Sequence, residues 1–212
     1  MIGHGPDSLV NLIKTEQLYQ KGQRDAWVMF ASVIGPDGFP SSIVSYRVSP
    51  GAELLKAEIS RRLKQTRFVP AVYNHRRTWA SFSGTALYVV VDGKPRLRIF
   101  ANQDLEELKR GSDLVWPQSV YVENAPPPAD QGSYPGHEAL LEQPGSVMLR
   151  QSLAADGTTT DLQVISEQPV GHHFGENALK LARGFHYLPA YRNGQPTALT
   201  RTFEYRFVVP EP

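Results

Sequence analysis

Apolar and polar positions alternate in two well-separated stretches of the chain, and each stretch is followed by a helical stripe. In the first, Trp27, Val28, Phe30 and Val33 read as a strand, Gly35-Pro36-Asp37-Gly38 turns the chain, and Ile43, Val44, Tyr46 and Val48 read as a second strand. Asp-Gly between two such runs is a hairpin signal. From Ala52 to Lys64 the apolar residues Leu55, Ile59 and Leu63 recur every fourth position, one face of a helix. Phe68-Val69-Pro70-Ala71 ends it, because proline cannot continue a helix. A last strand is expected near 81–91.

The second stretch repeats this order. Val147–Leu153 and Leu162–Ile165 flank Asp156-Gly157, Phe174, Ala178 and Ala182 form the helical stripe, and Tyr187-Leu188-Pro189-Ala190 stands where Phe68–Ala71 stood. Thr200–Val209 closes the unit with Phe203, Tyr205 and Phe207 alternating. An offset of 119 residues superposes 28–90 on 147–209, with identities that include Val28/Val147, Asp37/Asp156, Gly38/Gly157, Pro70/Pro189 and Asn74/Asn193. Agreement of turn, stripe and breaker at a single offset predicts an α+β protein of two tandem β-β-α-β units, each a small antiparallel sheet with one helix packed on a face. The expected division is 1–93, a spacer over 94–131 and 132–212. The spacer has a candidate strand at Lys94–Ala101, a short helix near Asp104–Arg110 and a stiff proline run at Pro126-Pro127-Pro128.

The order of motifs in the second unit resembles the C-terminal domain of TonB, the periplasmic energy transducer of Gram-negative bacteria. The residues that carry the likeness are Tyr134-Pro135, Gly145-Ser-Val-Met-Leu149, Ala155-Asp156-Gly157, Val164-Ile165-Ser166 and Ala178-Leu179. They continue with Phe185-x-Tyr187-x-Pro189-Ala190, Asn193-Gly194-x-Pro196 and Phe203-x-Tyr205-x-Phe207. The first unit looks like a diverged second copy, with His75-Arg76-Arg77 in place of Gly-x-Pro.

The resemblance implies a non-enzymatic periplasmic protein that takes a segment of an envelope or outer-membrane partner as an added strand, as part of energy transduction to transport. The partner-binding positions it implies are Tyr134 and Pro135, where the family's Gln-x-Pro-Ala motif falls on Ser133–Gly136, and the last strand. There Thr202, Glu204 and Arg206 lie on the face opposite the aromatic stripe. Two other classes stand beside it: a structural adaptor or homo-oligomer that pairs final strands, and a binder of anionic polymer or lipid. Membrane association is expected only through an anchor that this sequence does not contain.

Charge sharpens the third class. The net charge is only +1, but Lys56, Arg61, Arg62, Lys64, Arg67, Arg76 and Arg77 face Glu58 as the sole acid between 56 and 77. Arg61, Arg62, Lys64, Arg67, Arg76 and Arg77 are therefore the candidate basic patch. Acids gather instead in 104–142. No nucleic-acid motif with exposed aromatics accompanies the patch, so no nucleic acid is expected. There is no cysteine, which excludes disulfides, thiol nucleophiles and cysteine-based zinc sites. His172-His173-x-x-Glu176 is a metal-like fragment without a third ligand at sensible spacing, and it reads as a helix start. No nucleophile elbow, P-loop or dinucleotide fingerprint is present, so neither catalytic residues nor a cofactor are expected.

Overall fold

The computed structural model describes residues 5–103, 105–121 and 144–207. It is mixed α+β, with antiparallel strand pairings and short helices. The chain divides into two compact units, Met1–Pro126 with Tyr191–Asn193, and Pro127–Ala190 with Gly194–Pro212. Among the described residues no helix is long and apolar enough to cross a membrane.

The first unit opens with two short helices, α1 (Leu9–Leu12) and α2 (Thr15–Gln20), ahead of β1 (Ala26–Ile34) and β2 (Pro40–Val48). Helix α3 (Glu53–Leu63) follows, then β3 (Ala71–Tyr73), β4 (Arg76–Val91), β5 (Lys94–Ala101), α4 (Leu105–Lys109) and β6 (Gln118–Tyr121). The strand order is β2-β1-β4, with β3, β5 and β6 also paired to β4. Leu55, Ile59 and Leu63 are fully buried against Val28, Phe30, Phe82, Ala86 and Tyr88. The helix stripe and one sheet face thus make a single core, and Leu9, Ile13 and Leu18 extend it. Helix α3 has no side-chain cap of its own. Buried Gln23 supplies one from before β1, its Oε1 accepting the Leu55 N–H at 2.9 Å.

The face of β1 and β4 away from α3 is covered as well. Met29 and Thr85 are buried there, and the Thr85 hydroxyl donates to the Gln103 carbonyl at 2.9 Å. Lys94–Ala101, read from sequence as the start of a spacer, pairs with Gly84–Val91 along the outer edge of β4. Leu97, Ile99 and Ala101 add to the core.

The second unit runs β7 (Gly145–Leu153), β8 (Thr159–Gln168), α5 (Phe174–Arg183), β9 (His186–Leu188), the first residue of β10 (Ala190–Arg192), β11 (Gln195–Thr197) and β12 (Leu199–Phe207). Its main sheet has the order β12-β7-β8. Phe174, Ala178 and Ala182 are fully buried with Val147, Leu149 and Phe207. An added Cβ on Gly145 would lie 2.6 Å from the Phe174 ring, so a side chain there would displace that ring. Here, among the described residues, only one sheet face is covered. The other carries polar pairs, such as Ser152 with Thr200 at 2.9 Å.

Both hairpin turns are built by an aspartate and a glycine. Asp37 Oδ1 accepts the Phe39 N–H at 3.0 Å, and Asp156 Oδ1 accepts the Thr158 N–H at 2.8 Å. These carboxylates serve the turns, as their place in the sequence implies. Gly38 and Gly157 sit at φ +87 and +90. An added Cβ on either would come within 3.0 Å of a backbone oxygen, that of Phe68 or Tyr187 respectively.

Candidate functional site

The strand β12 combines a packed face, an open face and an outer edge. Phe203, Tyr205 and Phe207 point to the helix side and join the core of the unit. Phe207 meets the Phe174 ring at 5.1 Å and the Tyr205 ring at 5.0 Å between centres. Burial raises the pKa of the Tyr205 phenol. Thr202, Glu204 and Arg206 are exposed on the opposite face. Arg206 Nη2 lies 2.7 Å from Glu204 Oε2. The pair is open to solvent and therefore worth about 0–1 kcal/mol. Glu204, Arg206 and Phe207 also line a shallow open groove of about 430 Å³, with Gly145, Ser146, Gln168 and Pro169 among the other walls.

The direction of the peptide groups on β12 follows from the register. The Ala154 N–H bonds to the Thr158 carbonyl, toward β8. Residues two apart on a strand point the same way, so Ser146, Met148, Arg150 and Ser152 also turn their backbone groups to β8. Val147, Leu149 and Gln151 turn theirs to β12, where they face Tyr205, Phe203 and Arg201. The peptide groups of Thr202, Glu204 and Arg206 are thereby left pointing away from β7. Among the described residues no strand lies beyond β12 in that sheet. A row of outward N–H and C=O groups at alternate residues is what an added strand requires.

One polar device in this unit has no signature in the apolar pattern. Arg201 donates through Nε and Nη2 to Gln151 Oε1 at 3.0 and 2.8 Å. Its guanidinium carbon sits 4.9 Å from the centre of the Tyr187 ring and 5.0 Å from that of Phe203. Burial lowers its pKa, and the neighbouring Tyr187 works in the opposite direction. Gln151 is fully buried and donates in turn to Thr159 Oγ1 at 3.0 Å. Glu167 is a second such residue. Its two oxygens accept the N–H groups of Gly171 and Gly175 at 2.8 and 2.6 Å, which caps α5 from the end of β8.

The basic residues are distributed differently. Arg61 and Arg62 both hold Glu58, at 2.6 and 2.8 Å. Burial raises the pKa of the Glu58 carboxyl, but hydrogen bonds and charge from the two arginines outweigh it and the net shift is downward. Lys64 is exposed at the end of α3. Arg67 lies over the Phe39 ring at 6.0 Å. Arg76 and Arg77 are exposed at the start of β4, opposite Tyr73 and Val72. Tyr134 and Pro135 lie outside the described residues. His173 Nδ1 approaches Glu176 Oε2 at 3.4 Å with both side chains exposed. His173 starts α5 in the left-handed conformation, φ 59, so it stands off the buried stripe. Among the described residues no group of three or more His, Cys, Asp or Glu is placed to hold a metal ion.

Residues 130–209 match the family model described as Gram-negative bacterial TonB protein C-terminal. These residues are similar to a TonB C-terminal domain. The match covers less than half of the chain, and residues 1–126 of the first unit lie outside it. Among individual curated proteins none matches. TonB C-terminal domains are periplasmic interaction domains of energy transducers, and as a family they engage outer-membrane receptors.

Proposed function

We propose that this chain is a periplasmic TonB-like protein that binds an envelope or outer-membrane partner by strand addition on β12, in the service of energy transduction to transport. The observation that carries the reading is the outward row of peptide groups at Thr202, Glu204 and Arg206, on the edge strand of the unit that the family model matches. The basic patch does not carry it, because two of its arginines are already held by Glu58.

The first unit is, in this reading, a diverged second copy. An offset of 119 residues carries the bounds of β1 onto those of β7. It carries the two register shifts of the first hairpin, at Met29/Phe30 and Val33/Ile34, onto Met148/Leu149 and Ser152/Leu153. It also carries the pair Val28↔Ala86 onto Val147↔Tyr205. Bulges are placed by local sequence and seldom coincide by accident, so these agreements support duplication more strongly than the residue identities do.

Glu204→Pro and Arg206→Pro test the function. Each removes one outward N–H and leaves the bonds to β7 intact. The expected outcome is a folded domain by circular dichroism that no longer captures its partner from an outer-membrane extract. Unchanged capture by both variants refutes strand addition. A stable dimer by light scattering that these prolines convert to monomer points instead to pairing between copies of the chain.

A further inference from the structure

At one end of the first unit a hairpin runs on past the main sheet. Strand β1 last pairs with β4 at Ile34↔Ala80, yet β4 begins at Arg76. Among the described residues, 76–78 pair with β3 alone. Asn74 and His75 make the tight turn between the two strands, at φ 48 and 62. The hairpin thus reaches on the order of 13 Å beyond Ala80.

Two other segments meet it there. The turn at 35–39 follows β1, and an added Cβ on Gly35 would lie 3.1 Å from the Trp79 ring. The Phe68 N–H bonds to the Gly38 carbonyl at 2.8 Å, and Arg67 lies over the Phe39 ring. Arg67, Arg76 and Arg77 are exposed here, with Lys64 three residues before Arg67 at the end of α3. Among the described residues none of these four is in an ion pair, unlike Arg61 and Arg62. No Asp or Glu occurs between Glu58 and Asp92. The acids of the adjoining segments are Asp7, whose carbonyl accepts the Arg67 N–H at 3.1 Å, and Asp37, whose carboxylate serves its turn. Beside the cations stand exposed apolar side chains, Phe39 at 46%, Val69 at 52% and Val72 at 57% exposure.

We infer that this end of the first unit docks on a lipid bilayer whose surface carries anionic headgroups. The contact belongs to the folded surface and is separate from any anchor and from strand addition at β12. Charge selects an anionic partner, since four cations outnumber the two local acids. The apolar residues and the shape select a bilayer among anionic partners. A soluble polyanion gains nothing from Phe39, Val69 or Val72, whereas the headgroup boundary takes up apolar side chains and charge together. The hairpin is a projection with Val72 and Arg77 paired on one face and Tyr73 and Arg76 on the other. Such a shape enters an interface from above, while a compact ligand needs a concavity. The long arginine side chains can keep their heads among the phosphates while Val72 sits lower.

The test is co-sedimentation of the full chain with vesicles of phosphatidylcholine alone or of equimolar phosphatidylcholine and phosphatidylglycerol. The chain should pellet with the second and stay in solution with the first. The double variant Arg76→Gln, Arg77→Gln should lower the partition coefficient about 30-fold, from the usual contribution of a cation at an anionic surface. Val72→Ser should lower it about fivefold. Lys180→Gln with Arg183→Gln, which removes the same charge from exposed positions on α5, should leave it unchanged. All these positions are exposed, and circular dichroism checks that the variants fold.

No binding to the anionic vesicles, or equal binding to the neutral ones, overturns the inference. So does an equal loss in the α5 variant, which would show that net charge alone acts. Full binding by Val72→Ser, together with binding to soluble heparin that the arginine variant loses, would make the patch a site for anionic polymer and would also overturn it.

Discussion

Gly157→Ala puts the turn geometry of the second unit to a quantitative test. At φ +90 an L-residue carries a backbone cost of about 1–2 kcal/mol. The added Cβ would also fall within 3.0 Å of the Tyr187 carbonyl oxygen, a backbone atom with no rotamer to move it aside. Such overpacking typically adds about 1–3 kcal/mol. Gly171→Ala is the control, because Gly171 has φ +81 but nothing within 4 Å of its Cβ position. It should show the backbone cost alone.

Calorimetry of the full chain compares the two. For a domain of this size each kcal/mol lowers Tm by about 4–8 °C. Gly157→Ala should therefore melt below Gly171→Ala by at least about 4 °C. Gly38→Ala should behave like Gly157→Ala, since it meets the Phe68 carbonyl in the same way. Equal melting of Gly157→Ala and Gly171→Ala would show that the close approach of turn and carbonyl has no energetic weight, and the reasoning would fail.

Two further outcomes follow from the polar groups. Gln151→Leu removes the acceptor of both Arg201 hydrogen bonds, and should lower the stability of the second unit by about 1.5–3 kcal/mol in urea unfolding. Adding Arg201→Met should recover part of that loss, since the stranded cation is then gone. The Asp156 carboxyl is held below its ordinary pKa by the Thr158 N–H, and next by the Thr158 hydroxyl. A depressed folded-state pKa gives stability that is present above the unfolded value and lost as pH falls through the folded one. Tm should therefore fall as pH drops below about 4, and fall less in Asp156→Asn than in the wild type.

Local periodicity made much of each unit legible. Leu55, Ile59 and Leu63, and Phe174, Ala178 and Ala182, are buried because a helix returns every fourth residue to one face. The alternation of Phe203, Tyr205 and Phe207 assigned the two faces of β12 for the same kind of reason. Helices α1 and α2 went unread, since four and six residues are too few to establish a period. Strand β5 was visible as a strand, but its partner was not, because pairing is a relation between distant residues that no window contains. The direction of the β12 peptide groups was hidden for the same reason. Gln151, Arg201 and Glu167 were invisible for another. Each is a polar residue working inside or at the margin of an apolar core, where hydrophobic pattern is silent.

The outward peptide groups of β12 have a mechanical side. A strand bound there is held by bonds at every second residue, spaced about 6.6 Å along the edge. A pull along the strand direction loads those bonds together, in shear. A pull across the strand opens them one after another, from the end, like a zipper. The same complex is thus long-lived under one direction of force and short-lived under the other. If a partner strand is taken up at this edge, its release would be set by the angle of the load as much as by affinity.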